Sequence, residues 1–178
     1  MKIAAKITVL LLLLSIAASA RRRDPLTEAE TDQLREANLE PYKRLKLLIK
    51  FTEARLTSID QVRVDPKATD RGKQIHDLLE DFTSLMDEIN DNLDMYEARK
   101  MEKDSVKEYH KGLKELLEAD ARFDLKLKAL RSAGETDPQT KKALPDFRFA
   151  LQDAEDSLKS NADAAREYIE TTHEEKKK

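Results

Sequence analysis

Apolar residues recur every three or four positions over four long stretches of this chain. The first stretch runs through Leu34, Ala37, Leu45, Leu48, Ile49, Thr52, Leu56 and Ile59. That spacing keeps the side chains on one face of a helix. Thr27-Glu28-Ala29-Glu30 ahead of it has the spacing of a capping box, so a helix is expected over about 27–60. Pro41 interrupts the pattern. It lacks the N–H that an i−4 carbonyl needs, so it either kinks one long helix or opens a second one in its first turn.

Pro66 separates this stretch from the next, with Thr69 or Asp70 placed to cap a helix over 70–98. Its stripe is the cleanest in the chain: Ile75, Leu78, Leu79, Phe82, Leu85, Met86, Ile89, Leu93 and Tyr96. Residues 97–105 are polar but contain neither Gly nor Pro, and read either as a turn or as a helix running through. A third helix is expected over 104–132, with Asp104 as its cap and a stripe from Val106 through Tyr109, Leu113, Leu116, Leu117, Phe123, Leu127 and Leu130. Ser132-Ala133-Gly134-Glu135-Thr136-Asp137-Pro138 is a breaker cluster. Pro145 then suits the first turn of a last helix over 145–172, striped by Phe147, Leu151, Ala154, Leu158, Ala162, Ala165 and Ile169. Val and Ile form no sustained alternating run, so strands have no support. Four amphipathic helices hide their apolar faces most simply against one another. The expected fold is an all-α, antiparallel helical bundle of about four long helices, a single domain over 21–178. Short connections favour antiparallel neighbours.

The first twenty residues follow a different rule. Lys2 and Lys6 flank the start of an apolar run from Ile7 to Ile16, and Ala18 and Ala20 give the small-x-small spacing of a signal peptidase site. The run is shorter than the roughly 20 residues of a spanning helix. Residues 1–20 are expected to be a cleaved signal peptide, with the mature chain starting at Arg21. The alternative is a retained anchor flanked by Arg21, Arg22 and Arg23, whose positive charge resists translocation. The chain has no cysteine, which excludes disulfides, thiolate metal sites, CxxCH haem attachment and a cysteine-linked lipid. An exported chain without disulfides fits the bacterial cell envelope, periplasmic or secreted.

Charge narrows the partners. Removal of residues 1–20 takes Lys2 and Lys6 and no acid, leaving 31 basic and 36 acidic residues and a net charge of −5. That argues against nucleic acid as a partner. The first helix carries Lys43, Arg44, Lys46, Lys50 and Arg55, while the second carries Glu80, Asp81, Asp87, Glu88, Asp91, Asp94 and Glu97. Opposite fields help two helices lie side by side. Membrane contact is expected only through a retained N-terminal segment or the basic stretch 43–55.

Candidate chemistry is thin. His76, His110 and His173 are far apart, and Glu170-Thr171-Thr172-His173 is the one Glu-x-x-His, where a carboxylate di-metal bundle needs two. His76 is expected to flank its stripe on the surface. Asp120 stands seven residues from both Leu113 and Leu127, on the core register. A buried unpaired carboxylate is costly, so an edge position is expected for it. The three glycines are isolated and form no phosphate-binding loop. Leu26-Thr27-Glu28-Ala29-Glu30 parallels the Leu-Thr-x-x-Gln signature of small periplasmic helical chaperones, with glutamate in place of glutamine, and no family is assigned on it. The expectation is an exported, non-catalytic protein without cofactors, acting through protein–protein contact or self-association in a chaperone-like or structural role. The competing reading is a carboxylate/histidine metal-binding bundle or enzyme. Leu39, Tyr42 and Leu45, beside the Pro41 interruption, are the candidate interaction surface.

Overall fold

In the computed structural model, residues 23–97 and 103–175 are described, without the side chains of residues 95–105 and 171–175. Residues 1–22, which include the segment expected to be a signal peptide, the stretch 98–102, the side chain of His173 and the lysines at 176–178 lie outside the described residues. Five helices and no strand are found among the described residues: α1 Glu28–Glu36, α2 Pro41–Val64, α3 Arg71–Glu97, α4 Lys103–Thr136 and α5 Pro138–Glu175. None is long and apolar enough to cross a membrane.

The capping box forms as spaced. Thr27 Oγ1 accepts from the Glu30 N–H at 3.3 Å, and Glu30 Oε2 accepts from the Thr27 N–H at 2.8 Å. Of the two outcomes at Pro41, a new helix wins. A residue before proline is steered away from the helical region, and Glu40 lies outside it at φ −116°, ψ 85°. The Glu40 N–H takes the Ala37 carbonyl instead, while the Glu40 carbonyl accepts from Arg44 and starts α2. α1 therefore folds back along α2 as a short separate helix.

The last boundary also moves. α4 runs through the breaker cluster to Thr136, and α5 starts at Pro138 rather than at Pro145, which lies inside the helix. Asp137 is the reason. Its Oδ2 accepts from the Thr140 N–H at 2.8 Å and from the Thr140 hydroxyl at 2.6 Å, so a capped start exists two turns ahead of Pro145. These bonds also hold the Asp137 carboxyl below its ordinary pKa. A single residue thus reverses the chain. Gly134 makes room for the reversal, since a Cβ there would lie 3.1 Å from Leu144 Cδ1.

α2 packs on α3 and α4, and α5 packs on the same two helices. The side-chain partners give the directions. Arg44 reaches Glu88 and Arg55 approaches Asp81, so α2 and α3 are antiparallel. Arg131 reaches Glu155, so α4 and α5 are antiparallel as well. Tyr42 reaches Glu115 and Lys126 reaches Asp60, which makes α2 and α4 parallel neighbours. Asn161 bonds Asn90 and Tyr168 bonds Asp94, which makes α3 and α5 parallel too. The sequence expectation of antiparallel neighbours holds within the two hairpins only. α3 and α4, consecutive in the chain, sit diagonally, and the rings of Phe82 and Phe123 meet edge-to-face across the core at 5.8 Å.

The stripes close on one another. All eight apolar-face positions read for the first stretch are buried, as are Phe82, Leu85, Met86 and Ile89 of α3, Leu113, Leu116 and Phe123 of α4, and Phe147, Leu151 and Ala154 of α5. Phe51, Thr140 and Ala143 join them, the last two because α5 begins earlier than its sequence suggests.

Candidate functional site

The register of α4 carries one polar residue into this core. Leu113, Leu116, Asp120, Phe123 and Leu127 follow one another at spacings of three and four, and all five are buried. Asp120 is 4% exposed. The edge position expected from the sequence is therefore wrong. Neither carboxylate oxygen accepts a hydrogen bond from the protein.

The surroundings explain why no donor reaches it. Beside Asp120, α5 contributes Leu158 and Ala162, and the small Ala162 side chain fills little of the space between the helices. A cleft of about 330 Å³ results between the helices. Leu117 and Ala121 of α4 and Leu158 and Ala162 of α5 form its apolar walls, with Asp124, Glu155, Lys159 and Arg166 as its charged lining. Most of these charges already have partners. Asp124 takes Lys128 at 2.7 Å, Glu155 takes Arg131 at 2.5 Å, and Arg166 bonds Asp163 at 2.8 Å. Burial pushes the Asp120 pKa up to about 7 against the weaker opposing field of Arg166. A carboxyl of that kind in a cleft can hold or release a proton near neutrality and can receive a cationic donor.

A second cluster lies on the outer face of α3. His76 Nδ1 is 3.6 Å from Asp77 Oδ1 and 3.9 Å from Glu80 Oε2. Ligand atoms from the three residues all lie within 4.8 Å of one another. The arrangement follows from helix geometry, since residues i and i+4 share a face. His76 is half-exposed at the surface, as expected. Asp77 also accepts from Lys73 at 2.8 Å. A smaller pocket of about 150 Å³ adjoins His76 and Glu80, with Thr83, Phe149 and Asp153 on its walls. His110 belongs to neither group.

The residues proposed from sequence as an interaction surface do not form one exposed patch. Leu39 is 87% exposed, whereas Leu45 is buried. Tyr42 is half-buried, its ring against Gly112 and its hydroxyl donating to Glu115 Oε1 at 2.8 Å. Lys46 and Lys111 lie over that ring at 5.2 and 5.6 Å. The basic face of α2 is largely engaged within the molecule: Lys43 with Glu40, Arg44 with Glu88, Lys46 near Glu115, and Arg55 with Glu30.

Arg55 was legible only as a surface base, yet it is buried and joins three elements. It pairs with both Glu30 oxygens at 3.0 and 2.6 Å, donates to the Pro25 carbonyl at 2.7 Å, and lies 3.8 Å from Asp81, which also receives Arg23 at 2.5 Å. Its place between Thr52 and Leu56 on the apolar stripe is the signal that could have found it. Compared with protein-family models, with curated proteins and with solved structures, the chain matches none.

Proposed function

We propose that the chain is an exported, non-catalytic helical protein of the bacterial cell envelope that works by binding, with the α4–α5 cleft as its contact point. The observation that carries this reading is Asp120. A donorless carboxylate in a packed core is unfavourable, and an apolar residue would serve stability better. Its position beside a cleft gives it something to do. A chaperone-like role would need a broad apolar face. Here the stripes bury one another, and the exposed large hydrophobics are dispersed: Leu39 just before α2, Val64 at its far end, Leu125 on α4 and Phe149 on α5.

The export half rests on Lys2, Lys6, the apolar run and the Ala18–Ala20 site. Protein recovered from the envelope is expected to begin at Arg21 by mass spectrometry. Intact Met1 in a membrane fraction would replace this reading with a signal-anchored peripheral protein. The binding half is tested by adding small-molecule envelope extract to the labelled protein and recording amide shifts. Shifts are expected around Asp120 and Ala162, and a silent cleft would reject it.

The His76 cluster favours a second reading, a metal-binding bundle. Three ligands from one turn of one helix leave most of a coordination sphere open. Under the leading reading, zinc, manganese and iron remain below stoichiometric after dialysis. One tightly held metal per chain, lost in His76→Ala, would put the second reading first.

A further inference from the structure

We infer that the Asp120 cleft receives the ammonium group of a small alkylamine, with a linear diamine as its best-fitting form. This rests on the binding role proposed above and names the ligand chemistry. Three features lead to it. The carboxylate oxygens of Asp120 are buried without a donor, so the missing partner is a hydrogen-bond donor carrying positive charge. The cleft beside them is walled by Leu117, Ala121, Leu158 and Ala162, which suits an aliphatic stem. The volume, about 330 Å³, lies at the small end of the range for small-molecule sites.

The remaining lining refines the choice. Asp124 stands one turn beyond Asp120 on α4, about 6 Å along the axis at 1.5 Å per residue. A four-carbon diamine spans a comparable distance, so one ammonium meets Asp120 while the other meets the rim carboxylate. Three acids, Asp120, Asp124 and Glu155, face two bases, Lys159 and Arg166, in the lining; Asp124, Glu155 and Arg166 each already have an ion-pair partner, and Asp120 is the acid without one. A compact ammonium enters beneath the side chains that cover Asp120 more readily than a planar guanidinium does. A divalent metal is the poorer fit. Among the described residues, three ligand atoms converge only at His76, Asp77 and Glu80, on another helix.

The test uses protein recovered from the envelope, titrated at pH 8 with 1,4-diaminobutane, n-butylamine, 1-butanol and butyrate while amide shifts are followed. Saturable shifts confined to the cleft segments of α4 and α5 are expected with the two amines, the diamine binding more tightly. Asp120→Asn weakens the diamine about 30-fold or more, consistent with the loss of a buried charge partner, while Asp124→Asn has the smaller effect. Unchanged or higher melting temperature in Asp120→Asn shows that the loss is not unfolding. Equal affinity in wild type and Asp120→Asn, or cleft shifts from 1-butanol or butyrate matching those from the amines, overturns the ammonium assignment. Silence toward the amines with a cleft response to envelope extract also removes the assignment but keeps the binding role. Silence toward both removes the two together.

Discussion

Asp120→Leu is expected to stabilise the protein, and to do so far more at pH 8 than at pH 4. In the unfolded chain this carboxyl titrates near 4, whereas burial raises it to about 7 in the fold. Between those values the folded protein holds a proton that the unfolded chain has released. Stability therefore falls as pH rises from about 4 to about 7, and is level on either side of that window as far as this group is concerned. The integrated loss is on the order of 4 kcal/mol. Leucine removes the titration and fills part of the cleft, so the difference between variant and wild type opens across the same window. Denaturant unfolding of both proteins at pH 4 and pH 8 measures it. Other titrating groups cancel in the comparison. An identical difference at the two pH values would mean that Asp120 does not carry the raised pKa.

Asp120 also shows how far the sequence reaches. Its register was readable, since a seven-residue step from Leu113 and from Leu127 fixes the face of a helix. Its burial was not. Whether a carboxylate on the apolar face stays dry depends on what stands opposite, and Leu158 and Ala162 come opposite only once α4 and α5 are folded about Asp137. The stripes themselves were readable almost residue by residue, because a 3.6-residue period is a local property. The order of helices around the core was not, because a short connection can link adjacent or diagonal neighbours alike. Local sequence also left Pro41 open between a kink and a new helix. Arg44 reinforces the separation from across the fold, donating to the Leu34 carbonyl at the end of α1 and to Asn92 of α3. At the last boundary two prolines offered a helix start, and the Asp137–Thr140 cap chose the earlier one.

The largest loss of stability is expected from Arg55→Met. Methionine retains an unbranched stem and removes the guanidinium, so what is measured is mainly the charge centre. Glu30 and Asp81 would then remain inside with one partner fewer, and the Pro25 carbonyl would lose its donor. Removing one member of a buried charge group typically costs about 3–5 kcal/mol, because the charge left behind is uncompensated. The pH dependence should change as well. Burial opposes ionisation of Glu30, but the bonds from Arg55 and Thr27 outweigh it and hold its pKa below the ordinary value. A depressed acid contributes stability above its unfolded pKa and loses that contribution as pH falls through its folded pKa. Asp81 responds in the opposite sense, since burial outweighs Arg23 and Arg55 and keeps its pKa raised. In Arg55→Met the acid-labile contribution of Glu30 shrinks, and the variant's deficit is largest near neutral pH. Loss of Arg55 shifts both acids upward, so urea titrations of both proteins at pH 3 and pH 7 measure how far the deficit grows toward neutral pH. Hydrogen exchange in α1 should rise first, because Arg55 ties Glu30 of that helix to the bundle. Adding Glu30→Gln to Arg55→Met should recover part of the loss by neutralising the abandoned carboxylate. A loss below about 1 kcal/mol, the range of exposed ion pairs, would show that Arg55 does not hold α1 in place.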